Sequence, residues 1–186
     1  IVKLGDVCLV KRGTAITKKS VVQGNVPVVA GGVSYSYKHS VSNRSGDVVT
    51  ISASGANAGF VNFWQQPIFA SDCSTVEVEN EGVSIKYVFY FLQFRQNFIN
   101  STMRSGAAQP HVYAKDIAEM DMPLPPLAEQ KRIAAILDKA EEIRRKREEA
   151  IEKLDQLAQS IFLEMFGTDD CKKRRLDELG DVKTGG

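Results

Sequence analysis

Asp121, Glu129 and Lys131 approximate the Asp…Glu-x-Lys spacing that can hold a divalent cation against a phosphate for hydrolysis. Pro123, Pro125, Pro126 and the start of a helix intervene, whereas metal-nuclease carboxylates usually sit on adjacent strands, so the pattern is expected to be fortuitous. Other catalytic signatures are missing. There is no G-x-G-x-x-G fingerprint, no phosphate-binding G-x-x-x-x-G-K-[ST] loop, no H-E-x-x-H and no Asn/Asp-Pro-Pro-aromatic string of an amino-methyltransferase. With His39 and His111 as the only histidines and no C-x-x-C among Cys8, Cys73 and Cys171, no metal site is expected. The remaining chemistry is that of binding.

Over residues 1–46 the only acid is Asp6, against Lys3, Lys11, Arg12, Lys18, Lys19, Lys38 and Arg44. Such a segment suits a polyanion, although the net charge of +1 over 186 residues names no partner, and a solvated surface is the alternative. Were that polyanion a nucleic acid, its phosphates would call for cations and its base edges for flat or amide-bearing side chains. Lys11, Arg12, Lys18 and Lys19 are candidates for the first task. For the second, Tyr35, Tyr37, Lys38 and His39 follow Gly31-Gly32 in a Ser/Tyr stretch expected to be loop-like and groove-facing. A tyrosine-rich strand packed on the domain is the alternative. Asn57 sits in a turn at 54–59 whose glycines let backbone come close, although Asn is also simply a good turn residue. Arg104, Gln109 and His111 lie in a loop before the prolines. Arg144-Arg145-Lys146-Arg147 would point around most of a helix, and Glu148-Glu149 follow, so a solvated face with pairs such as Glu141 with Arg145 is expected.

The elements that must position these residues are legible in outline. Strands are expected at 47–53 after Ser45-Gly46, at 60–64 after the turn, and at 74–79, which alternates and ends at Asn80-Glu81-Gly82. Residues 85–101 lack Gly and Pro and carry Val88, Phe89, Leu92 and Ile99 at helical recurrence. Residues 1–122 therefore read as an α/β or α+β domain large enough to bury a core without staples.

The prolines of 123–126 preset φ and lack a donor, which suits a hinge and an abrupt helix start. Leu127–Phe166 then runs without Gly or Pro. Ile133, Ile136, Ala140, Ile143, Arg147, Ala150, Leu154, Leu157 and Ile161 step by three and four. That is a heptad seam with Arg147 as its charged member, widened by Leu137, Ile151, Ala158 and Met165. At 1.5 Å per residue such a helix is about 60 Å long, too long to bury its stripe on a small domain. The seam requires another long helix, from a second copy or a segment beyond this chain; folding back on its own domain is the alternative. Gly167 would cap the helix and 168–175 reads as a linker. Leu179-Gly180-Asp181-Val182 then repeats Leu4-Gly5-Asp6-Val7, as if a second unit began there. No apolar run approaches the roughly 18 residues of a membrane span, no signal-peptide pattern occurs, and scattered cysteines fit a reducing, cytoplasmic setting.

Gly106-Ala107-Ala108-Gln109-Pro110, Asp116-Ile117, the string from Pro123 through Gln130, and Lys131-Arg132-Ile133-Ala134-Ala135-Ile136-Leu137-Asp138 resemble the specificity (S) subunit of type I restriction-modification enzymes. The opening Leu4-Gly5-Asp6-Val7, the Gly31-Gly32 loop and the turn at 54–59 before an aromatic strand are similar too. The proline-to-helix block is specific; the amino-terminal part is looser, where target choice varies. The resemblance implies a target recognition domain, a long helix, and a second such pair. The helices pack antiparallel as a ruler for the unread spacer of an interrupted site. This chain would then hold the first recognition domain (1–122), the proline hinge (123–126), the coiled-coil helix (127–166) and a linker with the truncated start of a second domain (167–186). It would be a non-catalytic reader of one half of a double-stranded DNA site. S-adenosylmethionine would belong to methyltransferase subunits docked around the helices, and ATP and Mg²⁺ to the partner restriction subunits. A homodimer through the helix would suit a symmetric split site. A coiled-coil assembly or regulatory half-subunit that does not read DNA is the alternative.

Overall fold

The computed structural model of the chain describes residues 1–106 and 110–167, without the Lys18 side chain. Gln109, the linker and the Leu179-Gly180-Asp181-Val182 repeat lie outside the described residues. The chain divides into two compact units, Ile1–Asp138 and one beginning at Lys139. The first holds β1 (Val2–Lys3), α1 (Leu4–Val7), β2 (Leu9–Arg12), β3 (Val26–Val29), β4 (Tyr35–His39), β5 (Val48–Ser52), β6 (Val61–Trp64), β7 (Phe69–Ala70), β8 (Cys73–Glu77), α2 (Ile85–Phe94), α3 (Gln96–Phe98), α4 (Ala114–Ala118) and β9 (Asp121–Met122).

β5 is the centre, and all five of its residues are buried. Gly46 at φ 108° and Asp47 at φ 47° turn the chain into it, a left-handed pair that Gly accepts and Asp tolerates. The two-residue period sends Val49 and Ile51 to one face and Val48 to the other. Val49 and Ile51 meet Val61, Val76, Val88, Leu92, Ile99 and Met122. Val48 meets Val29, Ile68, Ala70 and Cys73. The sheet order is β2-β8-β5-β6, all antiparallel. A second sheet orders β4-β3-β7, with β3 and β7 parallel. Antiparallel pairs predominate and helices do not alternate with strands, so of the two expected classes the domain is α+β.

Two expectations are corrected here. The helix expected over 85–101 stops at Phe94, where Arg95 takes ψ 3°, and resumes as α3 and a π-helical turn at Ile99–Met103. Glu141 pairs with Arg144, not Arg145, because the Arg144 guanidinium spans Glu141 and Glu148 while Arg145 bridges to Glu149 at 3.7 Å.

Leu4-Gly5-Asp6-Val7 is a packing motif. Leu4 is fully buried and its N–H donates to the Met120 carbonyl at 2.9 Å. A Cβ on Gly5 would come within 3.0 Å of the Ala118 Cβ.

α5 (Leu127–Phe166) begins on the Pro126 carbonyl, which accepts from the N–H groups of Glu129 and Gln130 at 2.9 and 3.1 Å. Its first turns are pinned within the first unit. The buried Gln130 accepts from the Ser84 N–H at 2.9 Å and donates to the carbonyls of Pro125 (2.8 Å) and Gly82 (3.1 Å). Asp138 accepts from Lys86 Nζ at 2.9 Å and from the Tyr90 hydroxyl at 2.6 Å. Burial alone would raise the Asp138 carboxyl, but these two donors outweigh it and hold it below the usual range.

Ile133 packs on the first core cluster, whereas Ile136, Ala140, Ile143, Arg147, Ala150, Leu154, Leu157 and Ile161 are exposed. Arg147 has no ion pair among the described residues. Glu142 lies between Lys139 (2.8 Å) and Lys146 (2.6 Å), whose hydrogen bonds bring its carboxyl down to about 2. The Gly167 N–H closes the helix on the Leu163 carbonyl at 2.7 Å. Among the described residues no helix is long and apolar enough to cross a membrane.

Candidate nucleic-acid interface

The turn at 54–59 is braced from within and open at its tip. Gly55 and Gly59 take φ 81° and 86°. Arg104 donates from Nε to the Ala58 carbonyl and from Nη2 to the Ala56 carbonyl, both at 2.8 Å. Gln96 donates to the Gly59 carbonyl at 2.5 Å and accepts from the Val61 N–H at 2.9 Å. A Cβ on Gly59 would stand 2.5 Å from Asn100 Oδ1, while one on Gly55 would meet nothing within 4 Å. Asn57 is exposed at the tip.

Two other segments join this turn. The Ser52 hydroxyl donates to the Gly32 carbonyl at 2.9 Å, and a Cβ on Gly31 would lie 2.7 Å from the Ser54 carbonyl oxygen. Ser54 itself donates to Asp72. On the other side His111 bridges to both Ser54 and Ser105, and its ring stacks on Tyr113 with centroids 6.3 Å apart. Lys115 Nζ lies 5.8 Å from the Tyr113 ring. Arg12 lines a small crevice with His111 and Tyr113. The structure thus gathers Arg12, the Gly31-Gly32 loop, Asn57, Arg104 and His111.

The other candidates stand apart from this group. Residues 35–39 form strand β4, the alternative reading, and not a loop. The Tyr37 hydroxyl reaches the Ile16 carbonyl at 3.5 Å. His39 is 7% exposed, edge-on to Phe69, with Nδ1 held by the Val22 backbone at 3.1 Å. It therefore supports β4, buried and with Nδ1 engaged by the backbone, a correction to its expected groove-facing role. Tyr35 and Lys38 are exposed. Lys19 lies in the short 3₁₀ turn of the segment beside β4. Lys11 points to the face of β2 opposite Arg12. Arg104 is likewise committed to backbone carbonyls, so its role here is to brace the turn.

Of the early basic residues, Lys3 pairs with Asp121 and Arg44 with Glu77, each at 2.9 Å. Lys11, Arg12, Lys19 and Lys38 are exposed and have no ion pair among the described residues. The nuclease-like carboxylates are spent separately, Asp121 on Lys3 and Glu129 on Arg132 at 2.7 Å.

Sequence reasoning missed Gln96, Tyr113 and Lys115. The alternation of His111 and Tyr113 around the buried Val112 was a usable signal for the second. Gln96 gave none, because its partners lie 35 and 37 positions away. The assembled surface offers unpaired cations, an aromatic flanked by a cation, and an amide on a fixed turn. That chemistry suits phosphates and base edges.

The family description "Type I restriction modification DNA specificity domain" fits residues 1–153. The specificity subunit of type I restriction enzyme MjaVIII from Methanocaldococcus jannaschii is 30% identical over 130 residues, covering 69% of this chain and 30% of that protein. The crystal structure of a type I S subunit from M. genitalium matches with TM-score 0.70 at 20% identity, over 91% of this chain and 46% of that one. A chain of a type I R-M system solved for its complex assembly matches with TM-score 0.65 at 21% identity, over 86% and 43%. The chain therefore spans less than half the length of these relatives. The match to the family over most of its residues places this chain among the type I restriction modification DNA specificity domains.

Proposed function

We propose that the chain is a non-catalytic, sequence-specific DNA-recognition subunit of a type I restriction-modification system. The first unit reads one half of a bipartite double-stranded site. The long helix sets spacing and docks methyltransferase subunits, around which restriction subunits assemble. S-adenosylmethionine would be held by the methyltransferase subunits, ATP and Mg²⁺ by the restriction subunits, and the setting would be the cytoplasm. The observation that carries this reading is the braced turn at 54–59, open at Asn57 and joined to Arg12 through His111. A base-reading group held rigid before binding loses little entropy on contact.

The test is duplex selection from a random library by the chain together with its host's methyltransferase subunits, followed by salt titration of the selected sequence. The expected result is a half-site preference, with log K falling linearly in log salt by about 0.9 per phosphate neutralised. Sequence-indifferent binding, or none, would favour the coiled-coil assembly alternative.

A further inference from the structure

Gln96, Asn100 and Arg104 stand four residues apart and all face the turn at 54–59. Gln96 donates to the Gly59 carbonyl at 2.5 Å and to Asn100 Oδ1 at 3.1 Å, and accepts from the Val61 N–H at 2.9 Å. A Cβ on Gly59 would lie 2.5 Å from the same Asn100 oxygen, so turn and strut are in close contact. Arg104 ends the row with its bonds to the Ala58 and Ala56 carbonyls, both at 2.8 Å. The π-helical turn at Ile99–Met103 keeps the row straight. A four-residue step overshoots an α-helical turn of 3.6 residues, so a row of such steps drifts round the helix. A π turn is wider and the same step falls short of it, which offsets the drift.

With this strut in place every backbone carbonyl from Gly55 to Gly59 has a donor. Arg104 serves Ala56 and Ala58, and Gln96 serves Gly59. The N–H groups of Ala58 and Phe60 serve Gly55 and Asn57 at 3.0 and 2.9 Å. The N–H groups of Gly55 and Gly59 are taken by the Pro110 and Ser52 carbonyls. Those of Ala56 and Asn57 have no partner among the described residues, and both residues are exposed. The backbone of the tip can therefore only donate.

We propose that Gln96 and Arg104 are positioning residues that set half-site preference without touching DNA. They hold the Asn57 amide and the two tip N–H groups against hydrogen-bond acceptors on a base edge. The proposal rests on the DNA reading above. Arg104 acts in it as a planar fork and not as a charge, because only a fork spans two carbonyls at fixed separation. A tip fixed before contact discriminates between base edges that differ by one acceptor, whereas a loose tip adapts to either.

The test uses the full chain assembled with its host's methyltransferase subunits. Preference is read as the affinity ratio between the selected half-site and its single-base variants. Arg104→Met keeps the apolar stem and removes the fork. Preference should fall about fivefold or more at the position that Asn57→Ala also relaxes, with the salt slope unchanged. Arg104→Lys returns the charge without the fork and should not restore it. Gln96→Glu keeps the acceptor for the Val61 N–H but sets a carboxylate oxygen against the Gly59 carbonyl, and should relax the same position. Unchanged preference in Arg104→Met, or rescue by Lys, overturns the proposal. So does a slope lower by about 1 with all duplexes weakened alike, the signature of a phosphate contact. A second measurement needs no DNA. In Arg104→Met and Gln96→Glu the Ala58 and Phe60 amides should exchange hydrogen about tenfold or more faster, while Val49 and Ile51 in β5 keep the parental rates. Unchanged exchange in the turn also overturns the proposal. Failure of the DNA reading looks different: the parent chain then shows no half-site preference, which rejects that reading and the positioning role together.

Discussion

Gln130→Leu is the sharpest probe of how the helix is fixed to the domain. The substitution keeps volume and helix propensity and removes three hydrogen bonds, to the Ser84 N–H, the Gly82 carbonyl and the Pro125 carbonyl. Gly82 is exposed, so its carbonyl recovers water, while Ser84 and Pro125 are half-buried. A buried group left without a partner costs about 1–3 kcal/mol, so two of them cost about 2–6 kcal/mol in full burial and, in the lower half of that range, about 2–4 kcal/mol when half-buried. Replacing a buried amide by an apolar side chain returns about 1 kcal/mol. The net loss is about 1–3 kcal/mol, a sizeable share of the 5–15 kcal/mol typical of a domain. At about 3–4 °C per kcal/mol for a unit of this size, Tm should fall by about 3–12 °C. Urea unfolding should show a lower midpoint at unchanged slope. Gln156→Leu, exposed on the same helix, should stay within about 0.5 kcal/mol of the parent. A loss below about 0.5 kcal/mol for Gln130→Leu would refute the idea that this residue joins helix to domain.

The remaining expectations concern charge. Asp138 is held below its ordinary pKa when folded, so its stabilising effect is complete above the usual carboxylate range and fades as pH falls through the folded value. The stability gap between the parent and Asp138→Asn, measured by urea melts, should therefore narrow between about pH 5 and pH 2; a gap independent of pH would remove the carboxylate from the account. Where α5 pairs with a like helix, Arg147→Leu should raise the melting temperature, because a cation desolvated at a seam without a partner is destabilising. No change, or a loss, would give Arg147 a solvated or specifically paired position. Lys38→Ala should weaken all duplexes alike and lower the salt slope by about 1; loss of site preference at constant slope would make Lys38 a base reader.

The sequence was most legible where local rules acted alone. The bounds Leu127–Phe166 follow from the proline step, the absence of Gly and Pro, and Gly167. β5, β6 and β8 were likewise visible within a residue or two, because β-branched runs flanked by turn residues need no distant information. Legibility failed where a partner far along the chain decided the outcome. Residues 35–39 looked like a loop from their Ser and Tyr content, but pairing with β3 made them a strand and the Val22 backbone drew His39 inward. The helix expected over 85–101 is interrupted where Gln96 turns to serve Gly59 and Val61, a tertiary demand that outweighs propensity. Arg104 was visible as a cation, but its commitment to two turn carbonyls was not.

β1 and β9 pair Val2 with Met122 and Lys3 with Asp121, so everything between them leaves and rejoins the chain at adjacent points, about 5 Å apart as paired strands are. An insert with equally close ends grafted between Lys3 and Asp121 would keep the prolines and the helix in place if it again supplied a backbone N–H and carbonyl to Gln130 and donors to Asp138, as Ser84, Gly82, Lys86 and Tyr90 do. Under the proposed function, a cassette exchanged at this two-strand clasp would alter what is read while leaving the long helix, and the spacing it sets, as it was.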